Sequence, residues 1–329
     1  MRSLKAVLPI ALLFTAVAGV QAQTVKTTYN YPTGVTGVAV DYVSNRVYVL
    51  LPGYYADGTN AVQVLDGVSN QVRATFPVPV ANAIAVDLVH CTVFVGGSIP
   101  STTNPSGVEN VVASINPWTG KVSEVIPVTA TGGSGIVSLA VDPIRNQVFV
   151  GNASDNVIDV IGFKGTHGVK AAIDLAGQTP AGLAVNFFTG IAYAALNDNQ
   201  VAVILEKNNS VTYATYGNQT SGIAVDLATD HEYVTDGVFD VPTVGALSYK
   251  GSTIASIPVG LFPQGVDVDF VTGLVFVANE ADGTLSKISA QGNSVISTTP
   301  VAANSVAVNP REATVYAVGS TSVTVLSEN

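Results

Sequence analysis

The chain has little of what covalent or metal-based chemistry needs. Cys91 is its one cysteine in 329 residues, Trp118 its one tryptophan, and His90, His167 and His231 are its three histidines. A single thiol excludes an intrachain disulfide and a multi-cysteine metal centre. Cys91 is expected as a small buried apolar side chain. The histidines stand far apart without metal-ligand spacing, and no Gly-x-Ser-x-Gly elbow, His-Glu-x-x-His helix or phosphate-binding glycine loop occurs. No catalytic residue, metal ligand or cofactor is assigned on this basis. Basic residues are scarce too, 13 Lys and Arg against 23 Asp and Glu, a balance unsuited to nucleic acid or anionic lipid. Charged residues make up 11% of the chain and apolar ones 47%, which is too apolar for disorder and ample for a large core.

Only one long apolar run is present. It extends from Ala6 to Val20, follows Arg2 and Lys5, and leads into Val20-Gln21-Ala22. A basic start, a short apolar stretch and small residues at its end read as a secretory signal peptide, residues 1–22, cleaved after Ala22. The run is shorter than the roughly 20 residues of a membrane-spanning helix. Residues 23–329 are expected to form a single soluble, monomeric domain in the periplasm or outside the cell, without membrane insertion.

What the chain does have is a repeat. A phrase of a small residue, an aliphatic residue, Ala, Val and Asp or Asn occurs seven times, once with Asp in place of Ala, ending at Asp41, Asp87, Asp142, Asn186, Asp226, Asp269 and Asn309. Seven residues after each of these anchors stands an aromatic: Tyr48, Phe94, Phe149, Tyr193, Tyr233, Phe276 and Tyr316. The spacing matches the four-stranded blade period of WD40-like repeat proteins. Each copy reads as strands a to d, with a the Ala-Val-Asp phrase, b the aromatic run, and c and d such runs as Val157–Ile161 and Thr253–Val259. Strands a and b are apolar on successive residues, so both faces of each sheet must be covered. The expected fold is all-β, a seven-bladed β-propeller of four-stranded antiparallel blades. The last copy stops after its third strand, Val323–Leu326, while an orphan strand, Val25–Tyr29, precedes the first. The N-terminal strand should complete the last blade and remove the open edge between the chain ends.

The segments Asp142-Pro143, Phe149-Val150-Gly151-Asn152 and Asp155-Asn156-Val157-Ile158-Asp159-Val160-Ile161, with Phe276-Val277-Ala278-Asn279 and Asp282-Gly283-Thr284 further on, resemble the blade pattern of YVTN-repeat β-propellers. The likeness spans nearly all of residues 23–329. It implies the propeller fold and a surface-layer-associated or periplasmic setting. Looser relatives include lactonase-like enzymes.

The anchor carboxylates are spread around a ring instead of converging, and are expected to accept hydrogen bonds from turn amides two residues on. Asp155-Asn156 and Asp282-Gly283 read as hairpin turns, too short for calcium loops. Where six copies carry Ala in strand a, the sixth carries Asp267. An isolated carboxylate there must be wet, paired or protonated, so Asp267 is expected to border the axial channel, as a solvated position or as a ligand contact. The b–c loops carry Asp57, Glu109, Asp155, Asp198, Asp236, Asp240, Glu280 and Asp282, with no Lys or Arg there or in the d–a loops. Tyr54, Tyr55 and Phe239 add aromatic side chains to this acidic end. Two functions of different class follow. One is a noncatalytic binding or scaffold module engaging a protein, glycan or small cationic ligand through Tyr54, Tyr55, Asp57, Asp155, Asp198, Asp236, Phe239, Asp240, Asp267 and Asp282. The other is a lactonase-like or lyase-like enzyme using a channel carboxylate and a divalent cation.

Overall fold

The structure is a computed structural model that describes residues 23–128, 133, 135–165 and 167–328; the expected signal peptide, 1–22, lies outside the described residues. The described chain forms seven four-stranded antiparallel sheets and no helix, so no helix is long and apolar enough to cross a membrane. Blade one consists of Gly37–Asp41, Arg46–Leu51, Asn60–Asp66 and Val72–Val78, and blade two of Ala83–Asp87, Thr92–Pro100, Val108–Ile115 and Val122–Pro127. Blade three is Ile136–Asp142, Gln147–Asn152, Val157–Gly162 and Gly168–Asp174; blade four is Pro180–Asn186, Ile191–Leu196, Gln200–Leu205 and Ser210–Thr215. Blade five follows with Thr220–Asp226, His231–Asp236, Thr243–Ser248 and Thr253–Pro258, and blade six with Pro263–Asp269, Leu274–Asn279, Thr284–Ser289 and Ser294–Thr299. Blade seven has Ser305–Asn309, Thr314–Val318 and Ser322–Ser327, and takes its outer strand, Val25–Asn30, from the start of the described chain. That strand runs antiparallel to the third, with Thr28 opposite Thr324 and Tyr29 opposite Val323.

Packing between blades explains the doubly apolar strands. Each of the seven seams holds its own hydrophobic core, and the seam between blades seven and one is built like the others, with Tyr316, Val323 and Val325 against Val47, Val49 and Leu65. All seven strand-b aromatics are fully buried. The inner strands touch their neighbours in a closed ring around the axis. There the sheets come so close that only glycine fits: a Cβ on Gly222 would lie 2.1 Å from the Gln264 carbonyl oxygen, and one on Gly265 2.5 Å from the Ser305 Cα.

Local chemistry fixes the inner turns. Val43 N–H and Ser44 N–H donate to Asp41 Oδ1 at 2.9 Å, and every other anchor accepts at least one turn N–H in the same way. Four residues after each anchor the backbone is left-handed, at Asn45, Cys91, Asn146, Gly190, Asp230, Gly273 and Ala313. Gly, Asn and Asp tolerate that conformation; Cys91 and Ala313 pay about 1 kcal/mol for it. Cys91 is accordingly a half-buried turn residue, not the buried side chain expected from its type. The turn slot dictates its place, while its hydrophobicity does not.

Candidate functional site

Four of the anchors also reach the next blade, and the identity of the anchor follows its partner. Asn186 Nδ2 donates to Asp230 Oδ1 of blade five at 2.5 Å, and Asn309 Nδ2 to Asn45 Oδ1 of blade one at 2.8 Å. Where the anchor is Asp142 or Asp269, the next blade presents a buried glutamate instead, Glu206 or Glu328. Burial pushes each of these glutamates up to about 8, and the neighbouring anchor carboxylate pushes the same way. A third, Glu232, is fully buried beside Tyr193 and Asp230 and is likewise raised to about 8, chiefly by burial. None of the three was singled out from sequence. The only local cue was a charged residue at the end of strand c, or inside strand b, where the other copies carry apolar or small side chains.

The end carrying the b–c and d–a loops has six carboxylates in its loops and no basic residue. Glu109 lies in a strand instead of a loop, because the strands flanking its hairpin are longer than the repeat implied. Asp236 closes strand b of blade five and is buried, accepting N–H donors from Asn218 at 3.1 Å and Gln219 at 2.9 Å. Asp57 accepts the Thr59 N–H at 3.0 Å, which holds its carboxyl below the usual range, and Asp198 accepts the Gln200 N–H at 2.8 Å. Asp155 meets the Asn152 amide at 3.0 Å. These carboxylates shape turns while still contributing charge. Asp240 and Glu280 are exposed.

The sequence-predicted residues do not all meet. Tyr54 and Tyr55 pack edge to face at 5.3 Å on blade one, Tyr55 half-buried against the seam with blade seven, and Tyr54 borders a 450 Å³ cleft with Tyr29, Tyr31 and Gln63. Blades five and six do bring a group together. Leu261 N–H donates to Asp282 Oδ2 at 2.6 Å, fixing the loop that carries Phe262. The Phe262 ring stacks on Phe239 with centroids 4.8 Å apart and planes 12° from parallel. Phe239, Val241 and Leu261 are 58%, 65% and 41% exposed. This apolar island sits among Asp240, Glu280 and Asp282. Phe262 was missed because it lies on the connection from blade five to blade six, apart from the b–c loop that carries Phe239.

Asp267 belongs elsewhere. It reaches the axial channel, in a cavity of about 340 Å³ that opens among the a–b turns, at the opposite end from the acidic loops. The histidines do not converge: His90 Nδ1 lies 2.7 Å from Asp87 Oδ2, and His167 Nδ1 lies 2.7 Å from Glu124 Oε2 at a cleft between blades two and three. Among the described residues no group of three or more His, Cys, Asp or Glu side chains is arranged to hold a metal ion.

Fold and sites together define a seven-bladed β-propeller. No protein-family model matches the chain, and no curated protein matches it.

Proposed function

We propose that the chain is a secreted, noncatalytic binding propeller of the YVTN-repeat type, released by cleavage after Ala22, which holds a protein partner on its b–c and d–a end. The observation that carries the proposal is the stacked pair Phe239–Phe262, with Phe239, Val241 and Leu261 exposed and Phe262 half-buried beneath them, inside a face that has acids and no bases. An exposed apolar island with a polar rim is the usual anatomy of a docking surface. Uniform negative charge selects a partner with a basic patch and speeds its approach. Rigid blades carrying variable loops suit such a role.

The test uses a lysine- and tryptophan-rich peptide as probe, with a glutamate- and tryptophan-rich peptide as control, by biolayer interferometry. The basic peptide should bind, more weakly as salt rises. Phe239→Ser with Val241→Ser should raise the off-rate, and Asp240→Asn with Glu280→Gln should slow association. Equal binding of the acidic peptide, or indifference to both pairs of changes, would overturn the proposal. N-terminal sequencing of the exported chain should begin at Gln23.

A further inference from the structure

The a–b turns differ from ordinary surface turns in being apolar. The two residues after each anchor are Tyr42-Val43, Leu88-Val89, Pro143-Ile144, Phe187-Phe188, Leu227-Ala228, Phe270-Val271 and Pro310-Arg311. Arg311 is the one charged side chain among these positions, and its guanidinium is engaged by Glu312 and the Val43 carbonyl. Five of the first residues, Tyr42, Leu88, Leu227, Phe270 and Pro310, line the channel cavity, where Tyr42 meets Phe270 edge to face at 5.5 Å. The second points outward, with Val43, Ile144, Phe188 and Val271 all more than half exposed. They form an apolar funnel around the mouth of the channel.

Inside the funnel lies the 340 Å³ cavity, lined from all seven blades by side chains such as Val40, Leu139, Leu183 and Val306. Asp267 is its one carboxylate, and the Tyr42 phenol is the only other polar side chain in the lining. The carboxylate is held in place: Val268 N–H donates to Oδ1 and Val308 N–H to Oδ2, each at 2.8 Å. Each oxygen accepts one bond and keeps a second lone pair. The inner strands are also sheet edges, whose carbonyl oxygens face the axis without a ladder partner.

We infer that the channel is a binding site for an amphiphilic amine, a primary ammonium on an aliphatic or aromatic body of about ten non-hydrogen atoms, entering from the a–b end. The ammonium meets the free lone pairs of Asp267 and edge carbonyls, and the body lies against the aliphatic wall. A divalent cation takes six or more oxygen ligands, whereas the side chains of this wall supply one carboxylate and one phenol among apolar groups, which suits an ammonium carrying an apolar body better. The six other blades show that Ala closes this position, so the carboxylate is not a requirement of the ring. This site is independent of the one proposed at the acidic end.

The experiment is calorimetry of the full mature chain with octylamine and phenethylamine, against octanol and octanoate. The amines should bind roughly tenfold or more tighter than octanol, as expected for a charge-assisted bond out of water, and octanoate should not bind. Asp267→Asn keeps one oxygen to accept the Val308 N–H and gives up the acceptor of the Val268 N–H; it should bring the amines down to the octanol level and leave octanol unchanged. Phe270→Ala should weaken amine and alcohol alike. If the Asn variant fails to fold, the unaltered chain still decides. Burial raises the Asp267 carboxyl to about 6, with Asp269 pushing the same way, so amine affinity should fall as pH drops below 6 while octanol affinity stays constant. Amine binding that is unchanged in Asp267→Asn, matched by octanoate, or flat with pH would overturn the inference.

Discussion

The two ends of the propeller use the same side chains under opposite constraints. At the a–b end one turn is built seven times: an anchor oxygen holds the amides ahead of it and a left-handed residue follows. At the other end the b–c loops run from three residues, 319–321, to eight, 52–59, and their carboxylates hold whatever amides each loop happens to offer. Where the backbone must repeat, chemistry varies little; where it need not, charge and aromatic content drift into a surface. Blade-to-blade bonds occur at both ends, from Asn186 to Asp230 at the repeated one and from Thr179 to Asn156 and Ser154 to Asn110 at the variable one, where the exposed apolar island also sits.

Removing the ring closure should have the largest effect. Deletion of residues 23–30 strips the outer strand from blade seven and bares the edge of Ser322–Ser327, which should shift the chain toward aggregated material in size-exclusion chromatography. A deletion variant that melts like the parent would show that neither end depends on a closed ring.

Acidity should separate the ends next. Glu206, Glu232 and Glu328 hold their protons to about 8 in the folded chain, whereas in the unfolded chain they release them near 4.5. The unfolded state therefore binds fewer protons between these values, and stability falls as pH rises from 4.5 to 8. Asp267 adds to the same trend up to about 6. The thermal midpoint should be higher at pH 5 than at pH 8 by several degrees, and Glu206→Gln with Glu328→Gln should flatten much of that slope. A midpoint that rises with pH would mean that these carboxyls are solvated and the seams are not sealed.

Equivalent truncations at the two ends sharpen the contrast further. Asp142→Ala releases the Ile144 and Arg145 N–H groups together with the Arg145 guanidinium, and should cost about 3 kcal/mol in chemical denaturation. Asp198→Ala releases the Gln200 N–H in a half-exposed loop, and should cost about 1 kcal/mol. Equal losses would erase the distinction. Smallest is the relief of left-handed strain: Ala313→Gly should gain about 0.5–1 kcal/mol, and Cys91→Asn a comparable amount.

Residues that act through their immediate neighbours were legible in the chain itself. The anchors, the aromatics seven residues on and the orphan N-terminal strand are set by turn geometry and strand period, which repeat along the sequence and so identify one another. Seven blades, their strand order and the closure of the ring follow from that repetition, and so does the odd Asp267. The tertiary structure alone decided which carboxyls keep their protons, because Glu206 meets Asp142 and Glu328 meets Asp269 only where one blade packs on the next. It also decided that Phe239 finds Phe262, that Tyr54 and Phe239 belong to different places, and that Asp267 opens toward the end opposite the acidic loops. These outcomes depend on desolvation and on distances across a seam, quantities set by packing between segments that lie far apart in the chain.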